Sequence, residues 1–135
     1  MSSRLQNSIR AIFSLLVVMA FLPFQVSAQD VIDIQVSPHV LNLQHQGEIV
    51  TIHTDIAYGL VLGSTVTLNG IEINSWKADD QGNFVAKFLM SAIKNLPLNI
   101  GSYNTLTLLG EKVGGGTFTG SEDILVVNNV PAGRK

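Results

Sequence analysis

From Ile32 onward the chain alternates apolar and polar residues with few breaks. Ile32, Ile34 and Val36 alternate with Asp33 and Gln35, and beyond Ser37-Pro38 the residues Leu41 and Leu43 flank Asn42. After a turn at Gln46-Gly47, Val50, Ile52, Thr54 and Ile56 alternate with Thr51, His53 and Asp55. A period of two places one set of side chains on a single face, so each run predicts a strand with one buried side. Val66 and Leu68 alternate with Thr65 and Thr67 up to Asn69-Gly70, a pair that tolerates positive φ and predicts a tight hairpin into Ile71 and Ile73. A second turn spans Asp79 to Asn83, after which Phe84, Ala86 and Phe88 alternate with Val85 and Lys87. Ser91 is placed to cap one helical turn running to about Asn95, closed by Pro97, and this is the one helical piece expected. Leu106 and Leu108 lie between threonines, Gly114-Gly115-Gly116 turns the chain, Phe118 follows, and a last strand runs from Ile124 to Val127. Seven to eight short strands separated by turn signals predict an all-β fold, a single antiparallel β-sandwich, with a small β-barrel as the alternative. Phe84, Phe88, Leu106, Leu108 and Val126 are its expected core.

Residues 1–28 carry a different pattern. Arg4 and Arg10 precede an apolar run from Ala11 to Leu22, and Val26-Ser27-Ala28 sets short side chains where a signal peptidase reads. A helix over that run would span about 18 Å, against about 30 Å for a bilayer core, so it reads as a cleaved signal peptide rather than an anchor. The expected domain organisation is a signal peptide over 1–28, cut before Gln29, and one sandwich domain over 29–135, with no membrane span after cleavage and a secreted or periplasmic location.

Composition narrows the partners. The 135 residues include no cysteine, which removes disulfides, thiolate metal sites and a cysteine nucleophile together. The mature region holds six basic and ten acidic residues, a formal charge of −4 spread along the chain. That balance carries no footprint for nucleic acid or anionic lipid. The absence of cysteine and of any Asn-x-Ser/Thr sequon points to a prokaryotic source.

The stretch Ser64-Thr65-Val66-Thr67-Leu68-Asn69-Gly70, followed by Ala78-Asp79-Asp80-Gln81-Gly82-Asn83-Phe84, resembles the central hairpins of bacterial immunoglobulin-like modules of secreted and cell-surface proteins. The resemblance covers about 25 residues and implies an immunoglobulin-like Greek-key sandwich. Leu98 to Tyr103 also resembles the tyrosine corner of such sandwiches, although Tyr103 has the opposite strand parity to Leu106 and Leu108. A bulge near Thr105 is what would reconcile the two. The chain holds one copy of the unit, where the family is habitually found in tandem.

Candidate chemistry is sparse. His39, His45 and His53 stand six and eight residues apart, whereas a metal pair on one strand face needs a spacing of two, so they read as solvated side chains. No serine lies in a Gly-x-Ser-x-Gly elbow, and the glycines around Lys112 do not form a phosphate loop. Asp79, Asp80 and Asn83 form an oxygen-rich cluster that fails the EF-hand spacing. They read as an Asp-initiated turn, with a looser calcium site open if Asp55, Glu122 or Asp123 comes near. No cofactor is expected. Continuing the strand register past Ile71 and Ile73 puts Trp76 outside, while a bend near Trp76 would tuck its ring under a loop, which is the expectation at a strand end. An outward ring, with Tyr58, would form a platform for sugar or protein. The expected function is a non-catalytic exported binding or structural module with a protein or polysaccharide partner; the alternative is a carbohydrate-binding module using exposed aromatics.

Overall fold

The computed structural model describes residues 29–130, so the signal-peptide expectation for residues 1–28 lies outside the described residues. The described chain is all-β. In order it forms β1 (Gln29–Val31), β2 (Ile34–Ser37), β3 (Val40–Asn42) and β4 (Ile49–Ala57), then a 3-10 turn (Tyr58–Leu60) and β5 (Val61–Leu68). It continues with β6 (Ile71–Glu72), β7 (Ser75–Ala78), β8 (Asn83–Leu89), a five-residue helix α1 (Met90–Lys94), β9 (Ser102–Lys112) and β10 (Thr117–Val127). Two sheets result. The smaller has the order β2-β4-β8-β7; the larger has β1-β10-β9-β5-β6, with β3 also paired to β10. Neither sheet closes on itself, and this decides between the sandwich and the barrel.

The strand count is ten rather than seven or eight because two expected strands are each divided between the sheets. The N-terminal segment begins in the larger sheet as β1, crosses to the smaller as β2, and returns as β3 past the cis Ser37-Pro38 bond. The run after Asn69-Gly70 pairs briefly with β5 as β6 and then joins β8 across the sandwich as β7. Pairing is antiparallel except where β1 and β3 run parallel to β10. Helical structure also exceeds expectation: the 3-10 turn is additional, and α1 starts one residue before Ser91, with Leu89 at its cap and no side-chain cap.

The core lies between the sheets as the alternation predicts. Phe84, Phe88, Leu106, Leu108 and Val126 are each 0% exposed. They pack in one cluster with Ile52, Leu68, Phe118, Ile93 and others. Asn69 (φ 46) and Gly70 (φ 81) adopt the left-handed backbone that the tight hairpin needs. The Asn69 side chain then extends the ladder, donating to the Thr105 carbonyl (3.1 Å) and accepting from the Thr107 amide (2.7 Å).

Two irregularities in the ladders are bridged by threonine hydroxyls. The β4·β8 register shifts between His53 and Ala57, and there the buried Thr54 donates to the Phe84 carbonyl at 2.6 Å. The β5·β9 register shifts between Leu62 and Thr67, and there Thr65 donates to the Leu62 carbonyl (2.7 Å) and accepts from the Glu111 amide (2.9 Å). A bulge leaves backbone groups without ladder partners, and a hydroxyl, which both donates and accepts, takes their place.

Truncating the core is therefore expected to cost far more than truncating the opposite face of a strand. Phe88→Ala should lose about 3–5 kcal/mol of stability, while Thr67→Ala, on the half-exposed outer side of β5, should lose about 0.5 kcal/mol. Urea denaturation measures both, and equal losses would contradict the register described.

Candidate functional site

Trp76 and Tyr58 come to lie on the side of the sandwich where β7 and β5 approach each other. Trp76 pairs with Ala86 across the β7·β8 ladder and therefore faces the interior, not the solvent side that continuous register implies. The register argument fails because the chain changes sheets between Glu72 and Ser75. The ring lies over Gly63, within the irregular part of β5, where a Cβ would collide with it. It is nevertheless 41% exposed, since it covers the open edge of the sandwich rather than entering the core. Tyr58, in the 3-10 turn, stacks on Phe84 with ring centroids 6.3 Å apart and is also 41% exposed. Phe84 and Ala86 are successive inward positions of β8, so the two half-exposed rings sit over neighbouring positions of one strand.

The Asp79 turn takes the form that its sequence suggests. The Asp79 carboxylate accepts from the Gln81 and Asn83 amides, each at 2.9 Å, and the Gly82 amide donates to the Asp79 carbonyl at 3.0 Å. Asp55 does come near, as the looser calcium reading requires. With Asp33, His53, Asp79, Asp80 and Asn83 it lines an open groove of about 460 Å³ at the edge of the smaller sheet. The Asp55 carboxylate is engaged by the Asp33 amide at 3.0 Å, as Asp79 is by its own turn. Among the described residues, no group of three or more His, Asp or Glu side chains is placed to hold a metal ion.

The three histidines are exposed and apart in role. His45 Nδ1 accepts from the Gly47 amide (2.8 Å), and His39 Nδ1 stands 3.8 Å from the Glu122 carboxylate. His53 faces outward on β4 beside the groove. The tyrosine corner is absent. Tyr103 is 65% exposed, and the β9·β10 register runs unbroken from Glu111 to Ser102, without a bulge at Thr105. Asn104 ties that corner instead: its side chain accepts from the Asn99 amide (2.8 Å) and donates to the Asn99 (2.9 Å) and Ser102 (3.0 Å) carbonyls.

An outward Tyr103 belongs to a surface that the sequence reading passes over. Of the twelve large hydrophobic residues exposed among the described ones, Val31, Val40, Leu62, Tyr103 and Leu109 all point from the outer face of the larger sheet. Leu62 stands apart beside Glu111, and the other four mark two rows across the strands. One row is Val31, Thr119 and Leu109; the other is Val40, Leu125 and Tyr103. Between them lies a polar band in which Thr107 and Ser121 share a hydrogen bond (2.9 Å) and Thr105 donates to Asp123 (2.6 Å). None of the outward positions of these strands is Lys or Arg; Lys112 turns to the inner side and pairs with Asp30 at 2.6 Å. The parity of β9 carries the signal: with Leu106 and Leu108 inside, Tyr103 and Leu109 must be outside. The resemblance to a tyrosine corner argues against that placement.

The packing of Trp76 on Gly63 gives a direct test. Gly63→Ala should displace the indole, shift its emission to longer wavelength and lower the melting temperature, whereas Gly59→Ala, where a Cβ meets nothing within 4 Å, should do neither. Unchanged emission in Gly63→Ala would contradict the contact. Set against known proteins, the chain matches no family model, no curated protein and no solved structure.

Proposed function

We propose that this chain is an exported, non-catalytic binding or structural module of the bacterial immunoglobulin-like kind, acting in the cell envelope or outside the cell. The observation that carries the reading is the concentration of exposed apolar side chains on one sheet face that bears no Lys or Arg among the described residues. Apolar residues scattered singly over a surface need no explanation, but two apolar rows flanking a polar band on one flat face form a pattern suited to meeting another molecule. Aromatic anchors such as Tyr103 are enriched in such surfaces because a rigid ring recovers much contact area at little entropic cost.

A second reading, a carbohydrate-binding module, is favoured by the pair of half-exposed rings, Trp76 and Tyr58, over neighbouring positions of β8. A sugar ring stacks its apolar face on such a platform. In the first reading the side chains that matter are Tyr103 and Leu109; in the second they are Trp76 and Tyr58.

One experiment separates them. The protein recovered from the culture medium or envelope should begin at Gln29, and its Trp76 emission is titrated with a panel of neutral and charged polysaccharides. Emission that stays constant across the panel, with retention of an envelope component that is lost in Leu109→Asp, is the result expected. Saturable emission changes abolished by Tyr58→Ala would favour the carbohydrate reading. Recovery of the chain uncleaved in the cytoplasm would contradict both.

A further inference from the structure

The pattern on the outer face of the larger sheet is self-complementary, and we propose that its occupant is a second copy of this chain, packed face to face through a twofold axis. The inference rests on the reading of that face as an interaction surface and names what covers it. Along β10 the outward residues run Thr117, Thr119, Ser121, Asp123, Leu125 and Val127, with Glu111, Leu109, Thr107, Thr105 and Tyr103 beside them on β9. The two apolar rows, at Thr119 and at Leu125, lie six residues apart, about 20 Å along the strand.

A half-turn about a line crossing the strands between Ser121 and Asp123 exchanges the two rows. Leu109 then faces Tyr103 of the second copy, Val31 faces its Val40, and Thr119 faces its Leu125. The polar band falls on itself, with Thr105 against Thr107 and Asp123 against Ser121, which supplies a hydroxyl to the carboxylate. Glu111 falls toward the Gly101 end of the other sheet. The same operation brings no carboxylate of the face opposite another, so the acidic residues that would otherwise repel a like surface do not meet. A heterologous partner needs no such correspondence between two rows of one face.

Size and geometry agree. The full-length β9–β10 pair, with β1, β3 and β5 flanking it in part, makes a patch of about 500 Å² per copy, about 1,000 Å² over both. That is the lower bound of a specific interface, in keeping with a dimer that forms toward millimolar concentration. Sheets packed face to face stay nearly aligned, within about 30°, which keeps row against row near the axis. The edges of the patch carry Val31 and Val40 at 83% and 47% exposure, side chains that the described chain leaves uncovered.

The test is sedimentation equilibrium of the processed chain from micromolar to millimolar concentration. The expected result is a monomer–dimer equilibrium in the wild type. Leu109→Asp and Tyr103→Lys, each alone, should be monomeric throughout the range with unchanged melting temperatures. Mixed in equal amounts they should associate again, because the carboxylate introduced by Leu109→Asp in one copy would meet the ammonium introduced by Tyr103→Lys in the other, while the second Leu109–Tyr103 contact of the pair stays native. Leu60→Lys, at an exposed leucine off this face, should dimerise like the wild type. A wild type that stays monomeric to millimolar concentration overturns the inference; so does a dimer that survives Leu109→Asp, or variants that fail to re-associate on mixing. If the wild type is monomeric yet Leu109→Asp still releases an envelope component, the second copy is overturned as the occupant while the face remains the interaction surface.

Discussion

The seam that joins the two ends of the domain along β10 is the constraint on which the rest of the sandwich depends. One edge of β10 is laddered to β9 throughout, and the other is laddered in parallel to the first of the described residues. The Ile32 amide donates to the Thr119 carbonyl and the Leu43 amide to the Val127 carbonyl, both at 2.8 Å, while the Leu125 amide donates to the His39 carbonyl at 3.3 Å. Where the N-terminal segment leaves to pair with β4 as β2, the Glu122 carboxylate reaches from β10 and accepts the Val36 amide. Glu122 thus satisfies an edge donor that neither sheet can reach. These contacts span nearly the whole described sequence, so they close the longest loop in the fold and are set only when both ends are in place.

The surface follows from that closure. With β1 and β3 in place, the larger sheet gains outward positions beside both ends of β10, and Val31 and Val40 complete its apolar rows. The opposite side of the sandwich is closed by different means. There β6 is two residues long, β7 has crossed to the other sheet, and the Trp76 ring covers the irregular segment of β5 at Gly63. One side is sealed by long backbone ladders, and the other by the short β6 pairing and the rings of Trp76 and Tyr58. This is why the indole is half-exposed: a ring that caps a gap between sheets has one face on protein and the rest in solvent.

Much of this is legible in the alternation of residues. Phe84, Phe88, Leu106 and Leu108 are buried because a period of two leaves them no other face, and Asn69-Gly70 turns because both residues accept positive φ. Parity is a local property, however, and it fails where the chain changes sheets. The N-terminal strand divides in three, and the run from Ile71 to Trp76 divides in two, because a neighbour distant in sequence offers a better pairing. Continuous parity misplaces Trp76 for that reason. The tyrosine-corner resemblance misplaces Tyr103 for another: a turn motif suggests a buried hydroxyl, while the adjacent Asn104 supplies the hydrogen bonds that tie the corner. Asp55 could be named as a neighbour of the Asp79 turn but not placed there, and Asp33 is not legible at all, since both depend on how β2, β4 and β8 are ordered.

If the β10 seam is integral to the fold, it opens only when the whole domain unfolds. Amide hydrogen exchange tests this directly, because the Ile32, Leu43 and Leu125 amides are protected by the seam itself. The account predicts that these three exchange as slowly as the amides of Leu106 and Leu108 in the central strand β9, at the rate set by global unfolding. Exchange of the three orders of magnitude faster than that of β9 would show the N-terminal segment detaching on its own, and would contradict the claim that the closure along β10 holds the sandwich together.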